Sequence, residues 1–195
     1  MNLFYMCIIG YVVGSIPFGF LLTKFYGGID LREFGSASTG TTNVLRTGHK
    51  KLALMTLLLD VAKGLVLAIV LRLFFDDLTL YCVSFCCIVG HIYPIWLKFN
   101  GGKGAATAAG IFLAMSPVVA LVCACIWAII AKLTKTSSLA SLSFCFSFAV
   151  IIVFQFFLGE ASLSLTFFSA LVLILLLYTH LDNIKRLIRR EEMKL

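Results

Sequence analysis

Long apolar runs separated by short polar stretches make up most of the chain. A helix that crosses a bilayer needs about 20 apolar residues, and five runs reach that length: 3–22, 52–75, 78–97, 139–158 and 162–181. The first run has no basic start and no small-residue cleavage site, so we expect a span and not a signal peptide. The pattern predicts an all-α, polytopic membrane helix bundle in which residues 1–195 form a single domain.

A further apolar stretch, 105–131, is long for one span and short for two. Ser116-Pro117 lies in its middle, and proline interrupts a helix because it has no N–H to donate and restricts the residue before it. A break there predicts seven transmembrane helices, with two short ones in the middle of roughly 20 Å each. Short, interrupted segments often mark a binding site within the membrane.

The distribution of positive charge also favours seven crossings. With the N-terminus outside, four regions face the cytoplasm: 23–51, 98–104, 132–138 and 182–195. They contain 14 of the 16 Lys and Arg residues: Lys24, Arg32, Arg46, Lys50, Lys51, Lys98, Lys103, Lys132, Lys135, Lys185, Arg186, Arg189, Arg190 and Lys194. Six crossings would put the lysines of the third region opposite those of the second, against the positive-inside rule. We therefore expect a cytoplasmic C-terminus.

Composition narrows the class of protein. The chain is 61% hydrophobic with a mean hydropathy of +1.05, as expected for a protein within a bilayer. Its net charge of +7 does not indicate nucleic-acid binding, because the basic residues are scattered among apolar runs. The positive charge instead fits a role in setting the orientation of the helices in the membrane and in attracting anionic lipids and phosphate-bearing substrates. The seven cysteines lie in apolar runs without metal-ligand spacing, so disulfides are not expected.

One polar stretch, 27–51, contrasts with the rest of the chain. It combines glycines, hydroxyls and cations: Gly27, Gly28, Gly35, Gly40, Gly48, Ser36, Ser38, Thr39, Thr41, Thr42, Thr47, Arg32, Arg46, Lys50 and Lys51. Glycines let backbone N–H groups approach a ligand, and hydroxyls and guanidinium groups bind phosphate oxygens. A solvated loop between helices is the alternative, but FNGGKG at 99–104 repeats the same chemistry. Two such stretches indicate two halves of an anion site.

Two charged residues lie within the second span. Asp60 and Lys63 are three residues apart and share a helix face. An unpaired charge at mid-bilayer costs on the order of 3 kcal/mol, so the two side chains are expected to pair. The pair either orients the helix or allows Lys63 to contact a substrate, and the sequence leaves both open.

Two more polar pairs lie near the predicted cytoplasmic ends of spans. Ser138 and Ser141 are three residues apart, as are His180 and Asn183. Serines in membrane helices commonly bond their own backbone, and a histidine near a helix C-terminus commonly caps it. With seven helices, however, both pairs lie on the same side of the membrane as the glycine-rich stretches, which indicates a phosphate site. The charged tail KRLIRREEMK predicts a surface helix on the inner leaflet.

Several enzyme signatures are missing from the sequence. The lysine of GGKG does not fit a Walker A motif, which needs glycine where Leu97 stands and Ser or Thr where Gly104 stands. The His-x4-Asp pattern of many glycerolipid acyltransferases, a GxSxG elbow and the paired aspartates of metal-dependent phosphatidyltransferases are also missing. The sequence therefore offers no obvious nucleophile, no metal site and no cofactor.

One ordered set of motifs spans nearly the whole chain: Gly35-Ser36 to Gly40, Thr42-Asn43-Val44, Arg46, Asp60, Lys63-Gly64, Gly90-His91-Ile92-Tyr93-Pro94, Phe99, Gly101-Gly102-Lys103-Gly104, Ser138-Leu139-Ala140-Ser141, His180, Asn183-Ile184 and Arg186-Leu187. It resembles the motifs of the bacterial acyl-phosphate:glycerol-3-phosphate acyltransferases, which are small seven-helix enzymes of the inner membrane. That family usually has Gly-Ser-Gly-Asn where this chain has Gly35-Ser36-Ala37-Ser38, and commonly an arginine where it has Leu181.

The resemblance implies transfer of a fatty acyl group from acyl phosphate to the 1-hydroxyl of sn-glycerol 3-phosphate. The products would be lysophosphatidic acid and phosphate, in the first acylation step of phospholipid synthesis. It implies a location in the bacterial inner membrane, with the active site toward the cytoplasm. We expect a monomer surrounded by membrane lipid, without a nucleic-acid partner. The expected catalytic residues are Ser36, Arg46, Lys103, His180 and Asn183, and the expected substrate-binding residues are Thr42, Asn43, Gly101, Gly102, Gly104, Ser138 and Ser141.

Acyl phosphate is a mixed anhydride with a good leaving group, so the protein need not supply a covalent nucleophile. It must hold two phosphorylated substrates together and stabilise the developing charge. We hypothesise that glycerol 3-phosphate is held by Lys103, Arg46, Ser141, His180 and Asn183, and that the backbone of Gly101 to Gly104, with Ser36 and Thr42, binds a phosphate. The base is either His180 or a substrate phosphate.

Two other functions also fit the sequence. A transporter of small anions or lipid precursors would also need cations at interrupted helices. An acyltransferase with the same acceptor is also possible with acyl-CoA or acyl carrier protein as the donor.

Overall fold

The computed structural model describes residues 2–194, and this part of the chain is all-helical without strands, which confirms the predicted fold class. Its α-helices are α1 Leu3–Gly14, α2 Phe18–Tyr26, α3 Thr41–Arg46, α4 Lys50–Phe74, α5 Asp77–Ile92, α6 Ala105–Met115, α7 Pro117–Thr134, α8 Ser137–Phe157, α9 Leu163–Thr179 and α10 Leu181–Ile188. Short 3-10 turns cover Leu31–Glu33 and Ile95–Leu97. Contacts divide the chain into two compact units, one ending at Ala114 and one beginning at Met115.

Several helical segments are long and apolar enough to span a membrane. Within residues 2–194 there are five: Leu3–Tyr26, Lys50–Phe74, Asp77–Leu97, Pro117–Thr134 and Ser137–Phe157. α9 and α10 make a sixth if they are counted together across a bend of 63°. The multi-pass membrane prediction is therefore confirmed with five or six candidate spans, and the seventh crossing stays a prediction.

The chain breaks near prolines in two apolar stretches. The predicted interruption at Ser116-Pro117 is confirmed, because α6 ends at Met115 and α7 begins at Pro117. The expectation of two short helices holds only for α6, which has 11 residues; α7 has 18, or about 27 Å at 1.5 Å per residue. The first apolar run contains a break that the sequence analysis missed, since α2 begins only after Pro17.

Glycines allow α1 and α5 of the first unit to pack with their backbones in close contact. A Cβ atom added to Gly14 would lie 2.0 Å from the carbonyl oxygen of Cys87. On the facing helix, a Cβ atom added to Gly90 would lie 2.2 Å from the carbonyl oxygen of Tyr11. Small residues at such contacts let membrane helices approach closely. This contact holds the end of α5, from which the stretch 99–104 follows.

α4 and α6 of the first unit approach each other in the same way. A Cβ atom added to Gly64 would lie 2.3 Å from the carbonyl oxygen of Thr107, and one added to Gly110 would lie 2.0 Å from that of Val61. α6 begins at Ala105, directly after the second glycine-rich stretch. The stretch is therefore held on both sides by closely packed helices.

The second unit contains α7, α8 and α9, packed in sequence order, and α10. Its core includes Phe148, Ile152 and Val172, which are fully buried. Large apolar side chains cover its outer surface, for example Phe157 with 80% exposure, as expected for helices that face lipid. The predicted tail helix is only partly correct: α10 ends at Ile188, and residues 189–194 are not helical.

Candidate active site

The first glycine-rich stretch is folded around the side chain of Asn43, which is 1% exposed. Its Nδ2 donates hydrogen bonds to the carbonyl oxygens of Leu31 (3.3 Å), Phe34 (2.9 Å) and Ser38 (2.9 Å). Its Oδ1 accepts a hydrogen bond from the backbone N–H of Ser36 at 3.1 Å. These contacts give Asn43 a structural role within the loop. A direct substrate contact from Asn43 stays a prediction.

The turn before α3 has left-handed backbone angles, at Gly35 (φ 57°) and Ala37 (φ 56°). A Cβ atom at position 35 would lie 2.4 Å from Oδ1 of Asn43, so only glycine fits there. A left-handed residue other than glycine costs about 1–2 kcal/mol. Ala37 carries this cost, and its backbone angle would suit a glycine better.

The cations of this stretch differ in their surroundings. Arg32 pairs with Asp30 at 2.5 Å, and the side-chain hydrogen bond from Arg32 lowers the pKa of Asp30 to about 2. Arg46, a predicted catalytic residue, lies half-buried in the last turn of α3. Thr42 lies at the start of the same short helix. The Asp30 carboxylate thus offsets the charge of Arg32. Arg46 lies beside the turn at Gly35, where an added Cβ atom would be 3.8 Å from the Cδ atom of Arg46.

The two glycine-rich stretches are in direct contact. The backbone N–H of Thr39, in the first stretch, donates to the carbonyl oxygen of Gly101, in the second, at 3.3 Å. The N–H groups of Gly101 and Gly102 donate to the carbonyl oxygens of Ile92 (3.0 Å) and His91 (3.1 Å). These two N–H groups therefore serve the fold of the loop, which differs from the expectation that they bind a phosphate. Half-buried Lys103 follows immediately.

Asp60 and Lys63 form the predicted ion pair, with Lys63 Nζ 2.7 Å from Asp60 Oδ1 and both side chains at most 3% exposed. Lys63 Nζ also lies 2.9 Å from Nδ1 of His91 and donates to the carbonyl oxygen of Ile16 at 3.0 Å. Of the two roles left open for Lys63, these contacts favour the structural one. They also extend the pair to a third residue, His91.

In the second unit, the carboxylate of Glu192 gathers several of the predicted residues. Its Oε1 accepts hydrogen bonds from Ser138 Oγ (2.9 Å) and Asn183 Nδ2 (2.5 Å), and its Oε2 accepts one from Arg186 Nε (2.7 Å). Burial alone would raise the pKa of Glu192, but the hydrogen bonds from Asn183, Arg186 and Ser138 together lower it below its usual value. Ser138 and Asn183 are thereby held on a common acceptor.

His180 lies where α9 ends and α10 begins, and it is 3% exposed. Its Nδ1 lies 2.8 Å from the carbonyl oxygen of Leu176. Because a carbonyl oxygen only accepts, Nδ1 carries a proton, and in the neutral ring the lone pair is on Nε2. The side chain therefore helps to cap α9 in an orientation that fixes its tautomer. Ser141, one turn after Ser138 in α8, is partly buried.

Two residues of these clusters were missed by the sequence analysis as site residues. His91 is 28 residues from Lys63 in the chain, and only its place in the GHIYP motif draws attention to it. Glu192 lies in a tail whose charge pattern predicts a solvated helix, yet its side chain is only 4% exposed. No local pattern indicates that either side chain turns inward.

The family model described as glycerol-3-phosphate acyltransferase matches residues 4–190. The chain belongs to the glycerol-3-phosphate acyltransferase family. The resemblance drawn from its motifs is thereby confirmed.

Individual relatives in this acyltransferase family match over almost their full length. The glycerol-3-phosphate acyltransferase of Neisseria meningitidis serogroup C is 41% identical over 192 residues, covering 96% of this chain and 94% of the relative. That of Wolbachia pipientis is also 41% identical, covering 100% and 99%. A crystal structure of PlsY, an integral membrane glycerol 3-phosphate acyltransferase, in its glycerol 3-phosphate form has a TM-score of 0.89 at 34% identity, covering 99% of this chain and 95% of PlsY. The crystal structure of PlsY in its lysophosphatidic acid form has a TM-score of 0.86 at 32% identity, covering 98% of this chain and 94% of PlsY.

Proposed function

We propose that this acyltransferase moves a fatty acyl group from acyl phosphate to the 1-hydroxyl of sn-glycerol 3-phosphate, as the first acylation step of phospholipid synthesis. The family assignment supports an acyltransferase that uses glycerol 3-phosphate. The similarity to PlsY structures in glycerol 3-phosphate and lysophosphatidic acid forms supports this acceptor and product.

The contact between the two glycine-rich stretches carries the proposal. Through the Thr39–Gly101 hydrogen bond, the loop with Ser36 and Arg46 lies against the loop with Lys103. Cations, hydroxyls and glycine turns on one surface suit a phosphate monoester. We assign phosphate binding in the first unit to Lys103, Arg46, Ser36, Thr42 and Gly104.

We also assign contacts with substrate to Ser141, His180 and Asn183, which lie in the second unit. Glu192 orients Asn183, because a carboxylate only accepts and the amide must turn its Nδ2 toward it. The backbone contact of His180 holds its ring in one tautomer. Groups held in this way lose little conformational freedom when a substrate binds.

The chemistry requires no covalent intermediate. The 1-hydroxyl oxygen attacks the acyl carbon, the bond from that carbon to the phosphate oxygen breaks, and the hydroxyl proton passes to a phosphate. The leaving group departs as inorganic phosphate, and lysophosphatidic acid remains. Cations around the reacting groups stabilise the charge that develops on the carbonyl and on the leaving phosphate. We propose that a substrate phosphate accepts the hydroxyl proton, and His180 Nε2 is the alternative acceptor.

This function is tested by finding which acyl donor the protein uses. Purified protein in liposomes receives glycerol 3-phosphate with acyl phosphate, acyl-CoA or acyl carrier protein, each offered separately. The expected result is lysophosphatidic acid and phosphate from acyl phosphate. If lysophosphatidic acid forms from acyl-CoA or acyl carrier protein instead, the assigned donor is wrong. Phosphate flux without any product would identify a transporter.

We also propose a single-domain monomer of the bacterial inner membrane, with seven crossings, an outside N-terminus and a site facing the cytoplasm. The charge asymmetry of the loops supports this orientation. In a cysteine-free background, Lys135→Cys should react with an impermeant thiol reagent only from the cytoplasmic side and Glu160→Cys only from outside. Light scattering in detergent measures the oligomeric state.

A further inference from the structure

The buried cluster of Asp60, Lys63 and His91 lies next to the loop that carries Lys103. An ammonium group has three N–H donors. The ammonium of Lys63 donates to His91 Nδ1 at 2.9 Å and to the carbonyl oxygen of Ile16 at 3.0 Å, and it forms an ion pair with Asp60 Oδ1 at 2.7 Å. His91 Nδ1 also lies 3.5 Å from Asp60 Oδ1. The ammonium of Lys63 is thus held by three groups inside the protein.

This arrangement fits the neutral tautomer of His91 with its ring proton on Nε2. Because Lys63 donates to Nδ1, that nitrogen is an acceptor and the ring proton is on Nε2. The histidine is then neutral, and the charges of Asp60 and Lys63 compensate each other. A compensated cluster is the form in which charged groups are tolerated inside a membrane protein.

The imidazole of His91 holds the loop on its other side. A Cβ atom at position 102 would lie 2.0 Å from His91 Nε2, so the ring edge occupies the space that a side chain of residue 102 would take. The carbonyl oxygen of His91 also accepts a hydrogen bond from the backbone N–H of Gly102 at 3.1 Å. His91 therefore contacts the loop through both its ring and its carbonyl, immediately before Lys103.

We propose that His91, held by Lys63 and Asp60, is a positioning residue that sets the location of Lys103 for binding glycerol 3-phosphate. This positioning role rests on the proposed function, in which Lys103 binds phosphate. Lys63 fixes the ring of His91, the ring supports Gly102, and Gly102 fixes the backbone of the next residue. A displacement of about 1 Å at a binding group costs up to about a hundredfold in activity, so a supporting residue of this kind affects substrate use without touching substrate.

The first test uses His91→Asn, in which the side-chain oxygen replaces Nδ1 as the acceptor for Lys63 while the ring edge beside Gly102 is lost. The buried charges stay compensated, so the protein should still fold. We expect the Kd for glycerol 3-phosphate, measured by calorimetry, and its KM to rise about tenfold or more, with the KM for the acyl donor nearly unchanged. Calorimetry needs no donor, so a wrong donor assignment leaves this readout intact.

Val83→Ala is the matched control. Val83 is fully buried in α5, the helix of His91, and packs near Gly10 on α1. Its truncation should lower the melting temperature without changing the Kd for glycerol 3-phosphate. If His91→Asn behaves like Val83→Ala, or raises both KM values in parallel, His91 has only a structural role and the proposal is wrong.

A double-mutant cycle tests whether the effect passes through Lys103. In a Lys103→Gln background, His91→Asn should raise the Kd for glycerol 3-phosphate much less than in the wild type, because the group it positions is gone. Fully additive effects would contradict the proposal. The paired variant Asp60→Asn/Lys63→Met removes both charges together and should reproduce the rise in Kd; an unchanged Kd would exclude Lys63 and Asp60 from the positioning role.

Discussion

The backbone N–H of Thr39 donates a 3.3 Å hydrogen bond to the carbonyl oxygen of Gly101, and so joins the two glycine-rich stretches. Thr39 is held from the other side by α2, where a Cβ atom on Gly19 would lie 2.0 Å from the Thr39 carbonyl oxygen. Hydroxyls and cations from distant parts of the sequence are thereby brought to one surface. The predicted anion site depends on this contact in the first unit.

Lys103→Gln should lower kcat/KM for glycerol 3-phosphate by about ten- to hundredfold, since a hydrogen bond to a charged group contributes about 1.5–3 kcal/mol. Steady-state kinetics in liposomes measure the effect. Lys98→Gln is the control, because it removes the same charge from an exposed position in the preceding turn. Equal activity of Lys103→Gln and Lys98→Gln would show that Lys103 does not bind the substrate.

Asn43→Asp should disorder the first glycine-rich stretch. The substitution replaces a donor to three carbonyl oxygens by a carboxylate that repels them, at a cost of about 1 kcal/mol for each hydrogen bond lost. Hydrogen exchange of residues 29–46 should accelerate, and activity should fall. Asn100→Asp changes an exposed asparagine that bonds only locally, to Lys98, and should leave exchange in 29–46 unchanged. Normal exchange in Asn43→Asp would contradict the assigned role.

Glu192→Gln should destabilise the end of the second unit. An amide cannot accept at both oxygen positions, so at least one of the donors Ser138, Asn183 and Arg186 loses its partner. The expected loss is about 1–3 kcal/mol, visible as a lower melting temperature in detergent. Glu191→Gln removes the same charge from the exposed neighbour and is the control. A melting temperature equal to that of this control would show that the contacts contribute nothing.

The contribution of Glu192 should depend on pH in a defined direction. Its pKa in the folded protein lies below the ordinary value of 4.5. A carboxyl group with a lowered pKa stabilises the fold above its unfolded pKa, and that stabilisation is lost as the pH falls through the folded pKa. The melting-temperature difference between wild type and Glu192→Gln should thus be constant above about pH 5 and shrink below 4.5. A difference that grows on acidification would show the opposite linkage.

Gly14→Ala should force α1 and α5 apart. Its Cβ atom would lie 2.0 Å from the carbonyl oxygen of Cys87, and overpacking of this kind typically costs about 1–3 kcal/mol. Thermal unfolding in detergent measures the loss. Val12→Ala, on the exposed side of the same helix, should change the melting temperature little. Tolerance of Gly14→Ala would mean that the two helices are less closely coupled than their backbone contact indicates.

The sequence predicted the helices better than their ends and breaks. The run 52–75 corresponds to α4 within two residues, and 139–158 to α8 within two, because an apolar run of bilayer length is a local signal. The break at Pro117 could be predicted because the apolar stretch 105–131 is too long for one span and too short for two. The break at Pro17 was missed because the surrounding run was already an acceptable single span.

For the site, the sequence identified most of the residue types but not their contacts. Lys103 and Arg46 were selected because cations beside glycines are a local pattern. That Asn43 bonds its own loop, that Lys63 bonds His91 and that Glu192 bonds Asn183 could not be read from spacing. Each of these contacts depends on where the backbone places two distant side chains.

By itself, the sequence determined that the chain is helical, enters the membrane several times and carries phosphate-binding chemistry in two short polar stretches. These properties follow from hydrophobicity, helical hydrogen bonding and side-chain type, all of which act over a few residues. Only the tertiary structure decided that Thr39 meets Gly101 and that His91 supports Gly102. Such contacts arise from close packing of glycine-bearing helices, which is a property of surfaces in space and leaves no periodic pattern along the chain.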